Sequence, residues 1–367
     1  MAEKYISKKG RAWAAMNITK KTFGTISTGE EAVLYTITNE AGCKVELTNF
    51  GASVVSLWVP NKNGELTDVA LGCANAADYE KQTACLGAVP GRHANRIGKG
   101  VFTLGGREYQ LAVNNGSNHL HGGNRGFDHR LWNHTATQEG VIFSYLSPNG
   151  EEGYPGTLLV SVAYSLDEEN QLNIEYNALC DQDTVINLTN HTYFNLNGHH
   201  SGTILDHRLC IHSGAFTEND PECLPTGSIL PVEGTPMDFR QPKAIGRDIN
   251  QEDVQLKNGS GYDHNYVLGN LEGAFILAAE VLGPKTGITM NVYTTQPGMQ
   301  LYTANFIHTC NVTPKDGGSY EKNSGLCLET QHYPNAMAHT NFPRVVLRAG
   351  ELYHHITAYG FGVEKGL

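Results

Sequence analysis

The sequence predicts a mainly β chain, folded as one large antiparallel sandwich or barrel. Three observations carry this expectation: apolar and polar residues alternate with a period of two, turn chemistry separates the alternating runs, and amphipathic helical stretches are few. The clearest run is 172–178, where Leu172, Ile174, Tyr176 and Ala178 alternate with Asn173, Glu175 and Asn177, the pattern of a half-buried strand. Before it, strands are expected at 33–38, 45–50, 141–146 and 158–165; after it, at 184–190, 288–294, 300–305, 345–347 and 355–359. Asn63-Gly64, Asn115-Gly116, Asn149-Gly150, Asp316-Gly317-Gly318 and Ala349-Gly350 supply turns between them. The best helical candidate is 76–82, of about two turns. Close-spaced strands with so little helix argue against a βαβ fold.

The 367 residues allow two domains on a prior of roughly one per 150 residues. No Pro- or Ser-rich linker, compositional shift or internal repeat marks a boundary, so one domain over 21–367 is expected. Residues 1–20 read as a loose lead-in. The stretch 206–248 reads as an elaborate loop. Charge is sparse at 17%, against roughly 25% in an ordinary soluble domain, and polarity comes instead from Asn, Thr, Ser, Gln and 16 His. A net charge of −11 (26 basic against 37 acidic residues) argues against nucleic acid as a partner. No run approaches the roughly 18 apolar residues of a membrane helix; the best, 273–283, carries Glu280. Residues 1–13 are basic without the apolar core of an export signal. Eight cysteines stand singly with no CxxC pair, as ordinary buried thiols do. A cytoplasmic protein without membrane attachment is the resulting expectation.

Six segments concentrate side chains that do chemistry: 91–97 (GRHANRI), 118–123 (NHLHGG), 187–195 (NLTNHTYFN), 261–265 (GYDHN), 294–298 (TTQPG) and 328–332 (LETQH). If 187–194 is a strand, His191 shares a face with Thr189 and Tyr193. If 327–333 is a strand, Glu329 shares one with Gln331 and Tyr333, and His332 points away. A surface holding His, Glu, amides and aromatic rings suits a sugar, whose hydroxyls want bidentate polar partners and whose C–H faces want rings. Each residue also has a plainer reading: a hydrogen-bonded structural His, a Glu on a solvated strand face, Arg92 and Arg96 as surface charges. His119 and His121 could together ligate a metal, but no carboxylate follows at a suitable spacing, so no metal is expected.

In order and separation, the motifs GR-x-ANRI, N-x-LHGG, NLTNHTYFNL, GYDHN, TTQPG and LETQHYP resemble the aldose 1-epimerase (galactose mutarotase) family over residues 25–362. The resemblance implies a galactose mutarotase-like β-supersandwich with a shallow open cleft, no cofactor and a free monosaccharide as substrate. Position by position it implies His191 as general acid and Glu329 as general base, with Asn95, Arg96, His121, Asp263 and Gln296 contacting the sugar. The chain departs from the family at Asn335, where Asp is usual, and at 336–339 (AMAH), which replaces a more proline-containing stretch at the cleft rim. Interconversion of α and β anomers of hexoses such as D-galactose and D-glucose is the implied reaction. Other readings are a glycoside hydrolase using Glu329 and Asp263 as its carboxylate pair, a non-catalytic sugar-binding sandwich, and a hexose-6-phosphate epimerase. The last would call for a basic rim beyond Arg92 and Arg96. A monomer or weak homodimer is expected, since no strand singles out an interface.

Overall fold

The computed structural model describes residues 17–364. Alternation does what the sequence pattern predicts. In strand Leu158–Leu166 the side chains of Leu158, Val160, Val162, Tyr164 and Leu166 are buried, while Leu159, Ser161, Ala163 and Ser165 face outward. Its neighbour Gln171–Cys180 pairs with it antiparallel, Val162 opposite Tyr176 and Val160 opposite Ala178, so the two apolar sets share one face.

These strands lie in a nine-stranded sheet ordered Asn133–Ala136, Val141–Ser147, Leu158–Leu166, Gln171–Cys180, Leu352–Val363, Ile288–Thr294, Ile276–Leu282, Arg208–Ile211 and Lys243–Ala244. Two five-stranded antiparallel sheets pack on its inner face. One is a meander: Asn17–Thr25, Glu31–Thr38, Lys44–Thr48, Ser53–Pro60 and Leu66–Asp68. The other runs Pro225–Pro231, Ala215–Asn219, Asp263–Val267, Gly298–Tyr302 and Cys327–Gln331. Cross-sheet bonds mark both contacts. Tyr164 Oη donates to Ala52 O at 2.6 Å on the first side, and Tyr359 Oη to Leu328 O at 3.0 Å on the second. A single apolar cluster, from Val33 and Ile37 through Val160 and Tyr176 to Leu301, Leu328 and Phe361, fills the space between.

The expected strand 288–294 is observed at those bounds, and the helix forms over Ala76–Lys81, with Asn75 Oδ1 capping Asp78 N–H. Three expectations need correction. Residues 17–20, assigned to the lead-in, belong to the first strand; residues 1–16 fall outside the described part. The strand expected over 184–190 is only Thr184–Val185, paired with Val346–Leu347. The stretch 206–248 is not a loop but carries four strands, including Ala215–Asn219 and Pro225–Pro231. Pro225 and Pro231 disguised the last of these, which is tolerable because the strand sits at a sheet edge.

Candidate active site

In the second five-stranded sheet, residues directly opposite one another share a face. Gln300 lies opposite both Asn265 and Glu329, and Tyr302 opposite both Asp263 and Cys327. Their intervening neighbours Tyr266, Leu301 and Leu328 enter the core, and Thr330 Oγ1 meets Thr357 Oγ1 of the large sheet at 2.5 Å. Asp263, Gln300 and Glu329 therefore stand together on the face turned away from the core. Gln300 Nε2 donates to Asp263 Oδ1 at 2.6 Å, and Arg96 Nη2 approaches Asp263 Oδ2 at 3.6 Å.

Three irregular segments bring the remaining groups over this face. His191 is not in a strand: its N–H donates to Ala88 O at 2.8 Å and its carbonyl accepts from Gly87 N–H at 3.0 Å, which pins the backbone on both sides. Its Nε2 stands 3.5 Å from Glu329 Oε1. Its ring centroid is 5.0 Å from that of Tyr193, 5.2 Å from His121 and 6.2 Å from Tyr302. The short ladder Arg96–Ile97 with His119–Leu120 carries His121 to the site, where Nδ1 accepts from Asn95 N–H at 3.1 Å. That acceptor role places the proton of a neutral His121 on Nε2. Gly122 makes the crossing possible: a Cβ there would lie 1.7 Å from Gly91 O, and its φ of +90° is left-handed. Asn95 Oδ1 caps the adjacent Arg96 N–H at 2.8 Å.

His191 and Glu329 are 5% and 2% exposed. Burial pushes His191 down to about 4, against smaller upward pulls from its own backbone, Asp263 and Asp128. Burial also pushes Glu329 well above the usual carboxylate range; Asp263 adds to this and Arg96 opposes it. His121 is pushed well down by burial first, then by His191 and Arg96. Glu329 Oε2 and Gln331 Oε1, on the same strand face, are buried with no protein partner, as are both side-chain atoms of Asn265. An unpaired carboxylate oxygen opposite an imidazole is a place for a hydroxyl donor.

Six of the seven residues named from sequence are thus assembled here: Glu329, His191, His121, Asn95, Arg96 and Asp263. Gln296 is the exception. Fully buried before its strand begins, it donates from Nε2 to Leu188 O at 3.3 Å and Tyr353 Oη at 3.1 Å. Gln300, four residues on, holds the position beside Asp263. The signal for it was the register of GMQLY against CLETQ, which puts Gln300 next to Glu329. Arg92 is no surface charge; it is 1% exposed and forks onto Pro155 O, Gly156 O and Ser147 Oγ. Asn335, the departure from the family pattern, is 5% exposed with φ of +58°, a conformation Asn tolerates. It supports the Arg96 segment from below, its N–H on Arg96 O at 2.8 Å and its Oδ1 accepting from Gly98 N–H at 3.0 Å.

Donor atoms of His121, His191 and Glu329 all lie within 4.8 Å of one another, close enough to hold a metal ion. His119 is not part of that set; it bonds Ala112 O at 2.7 Å and Tyr154 Oη at 2.6 Å. A groove of about 360 Å³ lined by Ile142, Ala163, Asn173, Glu175, Phe275 and Ile356 lies elsewhere, on the outer face of the large sheet, and contains none of the acid–base groups.

The fold and site define a β-sandwich protein with a buried imidazole–carboxylate pair beside a polar, amide-rich binding face. Residues 33–360 match the sequence profile of aldose 1-epimerase. The chain is 43% identical over 349 residues to galactose mutarotase from Sus scrofa, covering 95% of this chain and 99% of that protein. It is 36% identical over 342 residues to aldose 1-epimerase from Escherichia coli (strain K12), covering 92% and 97%. A crystal structure of an aldose epimerase homologue from C. elegans superposes with a TM-score of 0.82 at 31% identity, covering 96% of this chain and all of that one. The chain belongs to the aldose 1-epimerase family, a class of isomerases that act on carbohydrates.

Proposed function

We propose that this protein interconverts the α and β anomers of free hexoses such as D-galactose and D-glucose, with Glu329 and His191 as the acid–base pair. The observation that carries the reading is the 3.5 Å approach of His191 Nε2 to a buried Glu329 whose second oxygen has no protein partner. With His191 lowered and Glu329 raised, the pair holds one proton between the two shifted values. Burial favours the form with Glu329 protonated and His191 neutral. Sugar hydroxyls donating to Glu329 favour the carboxylate and shift the proton to His191, where the adjacent carboxylate stabilises imidazolium. Glu329 then takes the proton of the C1 hydroxyl while His191 protonates the ring oxygen O5, and the C1–O5 bond breaks. This step leaves Glu329 protonated and His191 neutral, the form that burial favours. Rotation about C1–C2 and the reverse transfers close the ring on the other face. Each positioned group contributes on the order of 10²–10⁴-fold.

Asp263, held by Gln300 and Arg96, would accept from a pair of hydroxyls. His121 Nε2–H, Arg96 and Asn95 would supply donors, and Tyr193 and Tyr302 are ring surfaces beside the pair. Gln300 on one Asp263 oxygen and Arg96 beside the other hold this carboxylate in place, an arrangement that suits the binding of hydroxyls. We further propose a single domain that takes in the first strand from Asn17, supported by the shared core. A monomer or weak dimer in a reducing compartment such as the cytoplasm is in keeping with eight free thiols. Polarimetry on freshly dissolved α-D-glucose and α-D-galactose tests the activity. Decay of rotation at the buffer rate in the presence of the protein rejects it, and release of nitrophenol from a nitrophenyl galactoside favours the hydrolase.

A further inference from the structure

We propose that His199, His200 and Asp316 form a binding site for a divalent transition-metal ion of the zinc type, apart from the sugar site. Adjacent residues in a strand point to opposite faces, yet the turn at 196–200 brings these two imidazoles together, tilted, with ring centroids 4.0 Å apart. Both present Nε2 to the same carboxylate oxygen, Asp316 Oδ2, at 3.0 Å from His199 and 3.9 Å from His200. Bonds of about 2.0–2.1 Å in a tetrahedral site set donor atoms roughly 3.3 Å apart, and the two observed separations bracket that spacing. Two imidazoles and a carboxylate are a borderline-to-hard donor set that suits Zn²⁺ or Co²⁺ and leaves a fourth position for water.

The second independent observation lies behind the ligands. His199 Nδ1 is 3.0 Å from Tyr320 Oη, a buried hydroxyl that also meets Gly72 N–H at 3.2 Å and Gly72 O at 3.3 Å. When Tyr320 gives its one proton to Gly72 O, it accepts from both Gly72 N–H and His199 Nδ1–H. His199 Nε2 then turns a lone pair toward the Asp316 carboxylate, an arrangement that a cation between them satisfies. A ligating imidazole whose other N–H is held by the protein is the usual form of a metal-bound His. The neighbouring cation does not compete. Lys315 Nζ is engaged by Asp68 Oδ2 at 2.6 Å and by Val55 O, Ser56 Oγ and Ala70 O.

The two ligand segments flank the site described above, one following His191 and the other preceding the strand of Glu329. A bound ion would therefore clamp the loop ahead of Glu329 to the turn behind His191 and raise the melting temperature. The test is titration of chelator-stripped protein with Co²⁺, read by visible absorption, and with Zn²⁺, read by calorimetry and thermal melts. The expected result is one equivalent bound, with His200→Ala and Asp316→Asn each weakening it on the order of 100-fold and Tyr320→Phe by about 10–100-fold. His200 and Asp316 side chains are 37% and 68% exposed, so both variants should fold, as circular dichroism would verify. Glu329→Gln and Cys210→Ser should leave binding unchanged, since the other donor clusters among the described residues are His121–His191–Glu329 and Cys210–His212–Glu280. Absence of binding up to millimolar metal, or loss of binding in Glu329→Gln or Cys210→Ser with retention in His200→Ala, overturns the assignment.

Discussion

Replacing Gln300 by leucine separates the binding face from its support. The side chain is 3% exposed and makes a 2.6 Å bond to the Asp263 carboxylate. A buried hydrogen bond to a charged group contributes about 1.5–3 kcal/mol. Expressed in binding of the transition state at about 1.4 kcal/mol per tenfold, its loss lowers kcat/KM by roughly 10- to 150-fold. Gln296→Leu should behave in the opposite way. Its bonds run to Leu188 O and Tyr353 Oη, so the variant loses about 1–3 kcal/mol of stability and keeps the kcat/KM of its folded fraction. Initial rates of mutarotation over a range of α-D-galactose concentrations measure the first effect. Urea unfolding followed by tryptophan fluorescence measures the second. If Gln300→Leu keeps its kcat/KM while Gln296→Leu loses it, the reasoning from strand register is refuted.

The kcat/KM profile should form a plateau between the lowered His191 value and the raised range of Glu329. It falls on the acid side as the pair takes a second proton near the His191 value of about 4, and on the alkaline side as the pair loses its one proton in the raised range of Glu329. A rate that climbs steadily with pH would show that no proton need be held. Glu329→Gln should raise the melting temperature. Above the ordinary carboxyl pKa the folded chain binds this proton and the unfolded chain does not, so wild-type stability falls as pH rises. The gap between variant and wild type should widen from pH 5 to pH 8; a constant gap contradicts the assigned shift. Arg92→Lys should cost about 2–4 kcal/mol in denaturant unfolding, because one ammonium cannot replace the fork that reaches Pro155 O, Gly156 O and Ser147 Oγ.

Where one face is buried, the sequence carried the fold plainly: Leu158 to Leu166 and Leu172 to Ala178 alternate because the large sheet has a dry side. Strand Asn17–Thr25 was missed because it is an edge strand with almost no buried residue. Residues 187–194 looked like a strand because Thr, Tyr and Phe favour one. The backbone groups of Asn187 and His191 instead bond to the 87–95 segment, while Tyr193 O accepts from Leu71 N–H and Phe194 pairs with Leu326. The site was largely readable because its groups sit in long, dense motifs. Gln300 was not: it stood in an expected strand, but the resemblance pointed to Gln296, and only the pairing with the strand of Glu329 sets Gln300 at the site. The His199–His200–Asp316 cluster was hidden for a different reason: its donors are brought together only by tertiary packing across 117 residues of chain.

The central claim is that Glu329 and His191 open and close the sugar ring as one acid–base pair. Exchange NMR between the α and β anomeric protons of D-galactose at equilibrium tests it most directly, because no coupling enzyme or net reaction intervenes. The account predicts fast exchange with wild type and a loss of at least about 10²-fold in both Glu329→Gln and His191→Asn, with sugar binding retained. Full exchange in either variant would contradict it.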